Sequence, residues 1–521
     1  MSVARASTIM IITLVASRVL GWLRLSVIGA RFGQSPELDA FLAAFRVPDT
    51  IFNLLVAGAL ASAFIPVFTG YLAKEREDEA WRVASTVLNA MLVLLVLLSA
   101  VMWVAAPWVV PLFANFPDPA QVGLTVHLTR IMLLSPIFMG LSALFTGMLN
   151  SYRQFLAGAT APLVYNAAIV AFALFAAPFL GVDALAYGVV AGAALMWLVQ
   201  VPELTFRRTR YSFSFDVGHA GVREIARLTG PRTLALGSVQ FVLIVDTFLA
   251  SRMPEGSLTA LNYAFQLLML PLGVFSIAIS AAVFPTLSHY ASLGQQVRMR
   301  RALQQAIRWI LFLTLPTAIA MIVLRRPVVN LLFEYGRFGP AAREATQAAF
   351  FFYSLGLAGH ALVQILARAY YASKDTMTPL VLTLLSIALN VVLSVALAGP
   401  YGINGLATAN SVATLAEAAL FMALLAPRAR LRLVGLGVAS LKIVATSLIM
   451  GIAMFFFVRA TNFTVDLEQT KVGLFLQTGL AVAVGVAVYF FASSLLRVRE
   501  LDELLRFLRG RFFRREAVTV A

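Results

Sequence analysis

The chain has 521 residues, 60% of them hydrophobic and 12% charged, whereas soluble proteins are roughly half apolar and about a quarter charged. This composition excludes an ordinary soluble domain, and the absence of cysteine excludes disulfides and thiolate metal sites. The net charge of +16 does not indicate nucleic-acid binding, because the basic residues lie mostly at the ends of apolar segments.

Fourteen apolar segments, bounded by proline, glycine and charge clusters, are each long enough to cross about 30 Å of hydrocarbon. The first begins near Arg5 and lacks a small-residue cleavage pattern, so we interpret it as a retained span and not as a signal peptide. The predicted fold class is an all-α polytopic membrane protein. Its spans are predicted at residues 7–29, 38–67, 84–112, 122–149, 155–180, 184–205, 225–250, 258–288, 303–332, 346–371, 377–399, 403–426, 436–458 and 473–496.

The distribution of basic residues predicts the orientation of these spans. If both termini lie inside, most of the Lys and Arg residues fall in cytoplasmic connectors, as the positive-inside rule expects. After the last span, leucine and phenylalanine alternate with arginine in a pattern typical of a cationic amphipathic helix. We expect this helix to lie on the anionic inner leaflet, with docking of a protein partner as the alternative.

The chain also resembles itself at a spacing of about 220 residues. Residues 181–186, Gly-Val-Asp-Ala-Leu-Ala, recur at 402–407 as Gly-Ile-Asn-Gly-Leu-Ala, and Pro66 recurs as Pro285. The recurrence predicts two six-helix repeats in parallel orientation around a central cavity that opens alternately to the two sides. The predicted domains are the repeats at 1–215 and 216–430, transmembrane helices 13 and 14 at 431–496, and a cytoplasmic tail at 497–521.

Arginines inside the first two spans are the main functional signal. A charge at membrane depth costs roughly 2.5 to 3.5 kcal/mol, so it persists mainly where it faces a cavity or a partner. Arg18 and Arg24 lie in the first span and Arg46 in the second. Guanidinium groups bind phosphate through planar two-point hydrogen bonds, which predicts an anionic substrate such as a diphosphate. The alternative is that Asp39 neutralises a neighbour while the other arginines reach the interfaces.

A second cluster of polar residues is predicted around Asp246, the acid near the middle of the seventh span. Hard cations take carboxylate, amide and hydroxyl oxygens. Asp246 could therefore hold a monovalent cation together with Asn390, Thr408 or Asn410. The alternative is that Asp246 is an internal residue held by hydrogen bonds.

Motifs for catalysis are missing from the sequence. It contains no phosphate-binding glycine loop, no zinc-binding helix signature and no nucleophile elbow, so we expect neither an enzyme nor nucleotide-driven transport. A lipid-phosphate enzyme is the least favoured alternative, because the clustered carboxylates of a metal-dependent site are absent. No cofactor is expected apart from the possible coupling cation.

Several motifs follow one another in an order that resembles the MurJ/MviN lipid II flippase family. The resemblance runs from about residue 7 to 430. It rests on Ser17-Arg18-Val19-Leu20-Gly21, Asp39-Ala40-Phe41, Phe45-Arg46-Val47-Pro48, Ala63-Phe64-Ile65-Pro66, Leu270-Pro271-Leu272-Gly273, Leu332-Phe333-Glu334-Tyr335-Gly336-Arg337-Phe338 and Ala367-Arg368-Ala369-Tyr370-Tyr371.

The resemblance implies a fourteen-span flippase of the multidrug/oligosaccharidyl-lipid/polysaccharide superfamily. Such a protein moves the undecaprenyl-diphosphate-linked muropeptide outward across the bacterial inner membrane for peptidoglycan biosynthesis. The family's cation site on helices 7, 11 and 12 favours Asp246 and Asn390 as ligands. The implied substrate-binding positions are Ser17, Arg18, Arg24, Asp39, Arg46 and Gln266.

The chain departs from the family pattern in part of its cationic site. Phe52, Asn53 and Ala57 stand where basic and acidic residues are usual, and Gln266 stands where arginine is common. These losses keep two alternatives open: a carrier of another polyprenyl-linked glycan or an amphiphile, and a non-transporting partner of the cell-wall machinery. The expected partners are the polyprenyl-diphosphate-linked glycan, membrane lipids and cell-wall synthesis machinery, without nucleic acid.

Overall fold

The structure is a computed structural model that describes residues 3–57, 63–205, 210–431, 433–464 and 470–513. In these ranges every regular element is a helix, which confirms the predicted all-α class. The helices are α1 Val3–Phe32, α2 Pro36–Ala44, α3 Arg46–Phe52, α4 Ile65–Ala73, α5 Glu77–Phe113, α6 Pro119–Met132, α7 Ser135–Ser151, α8 Leu156–Ala171, α9 Ala177–Leu180, α10 Asp183–Leu198, α11 Val201–Thr205, α12 Ala220–Ala250, α13 Ser257–Pro271, α14 Ala278–Ser292, α15 Gln296–Val323, α16 Arg325–Phe333, α17 Pro340–Leu355, α18 Leu357–Ala372, α19 Met377–Arg428, α20 Leu433–Thr464, α21 Lys471–Leu495 and α22 Arg499–Phe513.

Nine helical stretches in the described ranges are long and apolar enough to cross a membrane, which makes the chain a multi-pass membrane protein. The bent pair α17 and α18 would add a tenth. The 52-residue α19 contains two predicted spans, because Gly402 interrupts it with a φ of 54°. The predicted second span is divided among α2, α3, a π-helical turn and α4. The number of fourteen spans therefore stays a prediction.

The chain folds as two compact units. Unit 1 comprises residues 1–259 with 335–342, and unit 2 comprises 260–334 with 343–521. The predicted boundary between the repeats at 215 stays a prediction. In unit 2, α20 and α21 pack on each other and α20 packs on α15. The predicted tail forms α22, and residues 514–521 lie outside the described ranges.

The backbone repeats at the spacing predicted from the sequence. Gly181 has φ 58° and ψ −139°, and Gly402 has φ 54° and ψ −136°. Three further pairs with positive φ lie about 220 residues apart: Gly33 and Gly256, Glu75 and Gly294, and Arg153 and Lys374. Positive φ is uncommon outside glycine, so its recurrence at Glu75, Arg153 and Lys374 is informative. The backbone conformation therefore supports the repeat that the sequence predicts.

Residues 335–342, the second segment of unit 1, contact the end of α1 around Gly336. Gly336 has a φ of 54°, and a Cβ there would overlap the carbonyl oxygen of Ala30. Beside it, the Arg337 N–H donates to that same oxygen at 2.8 Å, and Gln34 Nε2 donates to the Ala342 carbonyl at 3.1 Å. Position 336 thus requires glycine for its backbone conformation and for the close approach of two backbones.

Candidate functional site

The predicted arginines of the first span lie on α1, a 30-residue helix that packs along α8. Arg18 is exposed, whereas Ser17 and Arg24 are half-buried. Arg24 is within electrostatic reach of the Tyr165 hydroxyl on α8. The ion pairs of the described residues include neither Arg18 nor Arg24. These two guanidinium groups therefore have no carboxylate partner in the described part of the chain.

Asp39 has a structural role in unit 1. Asp39 is only 2% exposed. Both oxygens of its carboxylate accept hydrogen bonds. Oδ2 accepts from Gly256 N at 2.7 Å, and Oδ1 accepts from Thr259 N at 2.8 Å and from Thr259 Oγ1 at 2.6 Å. Charge-assisted bonds of this length are strong. Asp39 thus fastens α2 to residues 256–259 of the same unit, and its predicted contact with substrate stays a prediction.

Arg46 begins α3 and reaches α12. Its Nε donates to Thr247 Oγ1 at 3.1 Å, and that hydroxyl donates in turn to the Leu243 carbonyl at 2.7 Å. Asp246 and Asp49 both interact electrostatically with Arg46. The buried Oδ1 of Asp246 has no hydrogen-bond partner among the described residues. Arg46 is therefore held by α12 and lies within electrostatic reach of two carboxyl groups.

Asp49 is a residue of this cluster that the sequence analysis missed. It lies one turn after Arg46 on α3, and a spacing of three residues places the two side chains on one face of a helix. Its carboxylate interacts with Gln240, a buried residue of α12, and with the side chain of Asn53. The three-residue spacing from Arg46 could have identified Asp49 from the sequence. Asp49 and Asp246 offset part of the positive field that the arginines of unit 1 create.

The remaining predicted residues lie in unit 2. Gln266 is half-buried on α13, and Asn390 is 4% exposed on α19, with an Oδ1 that lacks a partner among the described residues. Thr408 Oγ1 donates to the carbonyl one turn earlier at 2.7 Å. Asn410 Oδ1 lies 3.0 Å from His360 Nε2. Of the three predicted cation ligands in this unit, only Asn390 keeps a side-chain oxygen without a partner.

The predicted cation site draws Asp246 from unit 1 and its other ligands from unit 2. Across the described residues, no group of three or more His, Asp or Glu side chains could hold a metal ion. The two oxygens without partners, at Asp246 and Asn390, are of the kind that hard cations take. The predicted cation site stays a prediction.

A polar seam in unit 2 was also missed. Thr414 and Glu417 follow Asn410 on α19 at the spacing of one helical face. Thr414 Oγ1 lies 3.4 Å from His360 Nε2, and Glu417, which is 8% exposed, accepts from Thr383 Oγ1 at 2.8 Å. The periodicity of these polar residues would have revealed the seam.

Comparisons with known proteins match the chain over most of its length. The model of a family described as "Lipid II flippase MurJ" matches residues 28–472. A probable lipid II flippase MurJ of Rhizobium meliloti is 33% identical over 427 residues, which are 78% of each chain. The lipid II flippase MurJ of Burkholderia cenocepacia is 32% identical over 371 residues, covering 70% of this chain and 72% of the relative.

Solved structures show the same fold. A lipid II flippase MurJ in an inward closed conformation matches with a TM-score of 0.78 and 24% identity, covering 95% of this chain and 99% of that one. An inward-facing multidrug resistance MATE family transporter of the MOP superfamily matches with a TM-score of 0.67 and 16% identity, covering 82% and 99%. At these identities the likeness concerns the fold alone.

Proposed function

We propose that this chain, which belongs to the lipid II flippase MurJ family, moves lipid II from the inner to the outer leaflet of a bacterial inner membrane. Lipid II is the undecaprenyl-diphosphate-linked muropeptide of peptidoglycan biosynthesis. The family match over residues 28–472 and the multi-pass fold support this proposal. The observation that carries it is that Arg18 and Arg24, both on α1, have no carboxylate partner in the described part of the chain.

Arg18 and Arg24 bind the diphosphate in this proposal. An uncompensated cation at membrane depth is costly, and an anionic ligand removes that cost when it binds. Each guanidinium offers a rigid fork of donors that matches two phosphate oxygens. Ser17, next to Arg18, adds a hydroxyl donor. The lipid tail stays in the bilayer while the headgroup crosses by alternating access.

Arg46 and Asp39 act with these arginines in different ways. Arg46 is held by Thr247 and balanced by carboxylates, so it contributes a fixed orientation more than net charge. Asp39 has a structural role, because it anchors α2, the helix that precedes α3. Gln266 contributes amide hydrogen bonds to the glycan or diphosphate.

The direction and energy of transport complete the proposal. Both termini lie in the cytoplasm, in agreement with the distribution of basic residues. The membrane potential or a monovalent cation held by Asp246, Asn390, Thr408 and Asn410 drives the cycle, since one elementary charge is worth about 2.3 kcal/mol per 100 mV. The chain acts as a carrier without a catalytic step, and it works beside the cell-wall synthesis machinery.

Complementation tests the proposal directly. The chain is expressed in cells depleted of their own lipid II flippase, and survival is scored for the wild type, Arg24→Ala and Arg31→Ala. Arg31 is a matched control, because it is an exposed arginine in the last turn of the same helix. We expect rescue by the wild type and by Arg31→Ala, and loss of rescue with Arg24→Ala at equal membrane abundance.

Two outcomes would count against parts of this proposal. No rescue by a correctly inserted wild-type chain would argue against lipid II as the cargo. Rescue by Arg24→Ala as good as that by Arg31→Ala would remove Arg24 from the diphosphate site while leaving the cargo in place.

A further inference from the structure

The segment 210–217 of unit 1, which lies between α11 and α12, carries a row of exposed apolar side chains. Phe213, Phe215 and Val217 are exposed by 81%, 46% and 62%, and we call these three residues the apolar row. The rings of Phe213 and Phe215 contact each other edge to face, with their centroids 5.2 Å apart. Contiguous exposed apolar side chains mark sites of interaction with a protein or a membrane. The apolar row is therefore a candidate interaction surface.

The opposite face of the segment is bonded to α5. Ser214 Oγ lies 2.9 Å from Thr86 Oγ1, and Asn89 Nδ2 donates to the Ser214 carbonyl at 3.0 Å. Arg82 Nη2 forms an ion pair with Asp216 Oδ2 at 3.0 Å. Successive side chains of an extended chain point to opposite faces. Because Ser214 and Asp216 face α5, the apolar row between and beyond them faces away from it.

The face of α5 that the segment covers is exposed and apolar one turn further along the helix. Thr86, Asn89, Val93 and Val96 follow one another at spacings of three and four residues, which places them on one face. Val93 and Val96 are exposed by 53% and 46%. Since α5 is long and apolar enough to cross a membrane, valines exposed on it contact lipid. The segment therefore continues the lipid-facing surface of α5.

The position of the segment along α5 corresponds to the interface of the bilayer. From Val93 to Phe113, α5 is about 30 Å long at 1.5 Å per residue, which equals the thickness of the hydrocarbon core. Asn89 lies about 6 Å before Val93, and the interfacial layer on each side of the core is about 5–8 Å thick. The Tyr211 hydroxyl donates to Asn89 Oδ1 at 2.8 Å, and tyrosine is typical of this layer. The apolar row is thus at the level where headgroups and acyl chains meet.

The charged side chains beside the segment are paired with one another. Arg82 pairs with Asp216, and Arg210, at the start of the segment, pairs with Asp78. An interfacial element binds a membrane through its buried apolar area and through attraction of its basic residues to anionic lipids. With both arginines paired, the segment relies on apolar contact and not on the charge of the lipid.

We propose that segment 210–217 is an interfacial membrane anchor, whose apolar row lies among the lipids of the leaflet at the N-terminal end of α5. In the orientation proposed above, this leaflet is the inner one. A soluble protein could reach the apolar row only through the headgroups, because the row lies on the side of α5 that faces lipid. The anchor requires only that α5 spans the membrane, so it is independent of the transported cargo.

Site-directed spin labelling tests the depth of the apolar row. The chain contains no cysteine, so one nitroxide can be attached to Phe213→Cys or to Phe215→Cys, both at exposed positions. The full chain is reconstituted in nanodiscs of phosphatidylcholine, and collisions of the label with oxygen and with a water-soluble nickel complex are measured. Val96→Cys is the reference for hydrocarbon, and Glu75→Cys, in the exposed turn before α5, is the reference for water. We expect the ratio of oxygen to nickel collisions at both phenylalanine positions to exceed that at Glu75 several-fold and to stay below that at Val96.

A second measurement tests the apolar character of the anchor. The same four labelled chains are reconstituted in nanodiscs that also contain the anionic lipid phosphatidylglycerol, and the collision ratios are measured at low and at high salt. We expect the ratios at Phe213 and Phe215 to stay at their values in pure phosphatidylcholine, because the arginines beside them are paired with carboxylates.

Two results would overturn the proposal. The first is a collision ratio at Phe213 and Phe215 equal to that at Glu75, which would place the apolar row in water and leave it open to a soluble protein. The second is a ratio that rises above that of Glu75 only when phosphatidylglycerol is present, which would assign the attachment to basic residues and not to the apolar row.

Discussion

Replacing Asp39 by alanine should destabilise unit 1 and should do so without any involvement of substrate. The carboxylate accepts hydrogen bonds from Gly256 N, Thr259 N and Thr259 Oγ1, all in a site that is almost completely buried. Alanine would leave two backbone N–H groups there without acceptors, while the threonine hydroxyl could rotate toward another acceptor.

The size of the effect follows from those two donors. A buried donor that loses its partner costs about 1–3 kcal/mol, so Asp39→Ala should cost roughly 3 kcal/mol after relief of the buried charge. For domains of 150–250 residues, 1 kcal/mol corresponds to about 2–4 °C, which gives a fall of roughly 6–12 °C in melting temperature. Asp39→Asn should cost about half as much, because its amide keeps one acceptor for Thr259 but turns a donor toward Gly256.

Thermal unfolding of the purified chain in detergent measures this effect, with Glu37→Ala as the control. Glu37 is an exposed acid on the same helix and should melt like the wild type. Transport per folded molecule should be similar for both variants in a reconstituted flipping assay. If Asp39→Ala melted like Glu37→Ala and yet lost transport, Asp39 would be a substrate ligand and our structural assignment would be refuted.

Two further predictions concern backbone geometry and acid stability. Gly336→Ala should lower the melting temperature by several degrees, because its Cβ would overlap the Ala30 carbonyl oxygen, whereas Gly339→Ala has open space and should be neutral. Equal melting of the two would contradict the close approach. Hydrogen bonds from the backbone N–H and then the hydroxyl of Thr378 hold the pKa of Asp375 below its ordinary value of 3.8. The resulting stabilisation is present above about pH 4 and is lost as the pH falls through the folded-state pKa. Asp375→Ala removes the acceptor of both Thr378 hydrogen bonds, which should cost about 1 kcal/mol at neutral pH. It should also remove the acid-induced rise in hydrogen exchange at the start of α19, and an unchanged rise in the variant would exclude this carboxylate as its source.

The internal repeat was the structural feature that the sequence predicted best. Gly181 and Gly402 were paired from two six-residue segments that are identical at three positions, and their dihedral angles agree within a few degrees. The signal was readable because a positive φ combined with a ψ near −140° is accessible mainly to glycine. Glu75 and Gly294 share the same conformation with different residues, so sequence comparison could not find that pair.

Sequence spacing could not predict contacts between residues that are far apart in the chain. Asp39 and Arg46 are seven residues apart, which on one continuous helix would place them on the same face. The structure instead ends α2 at Ala44 and begins α3 at Arg46, and each side chain bonds to a segment more than 200 residues away. Spacing along a helix carries no information about such distant contacts. Asp49 was within reach of sequence reasoning, because its spacing from Arg46 is local.

The charges in unit 1 bear on Phe52, Asn53 and Ala57, which stand where the family resemblance implies basic and acidic residues. Arg46 is within electrostatic reach of Asp49 and Asp246, which offset part of its charge. Arg18 and Arg24 have no carboxylate partner among the described residues. A diphosphate that bridges two organic groups carries one negative charge on each phosphate, so in the proposed site the guanidinium groups of Arg18 and Arg24 would match its charge. Additional arginines near Phe52 would create an excess of positive charge in a medium where unpaired charge is expensive. The departures in the second span are therefore compatible with diphosphate binding, provided that Arg18 and Arg24 are both present.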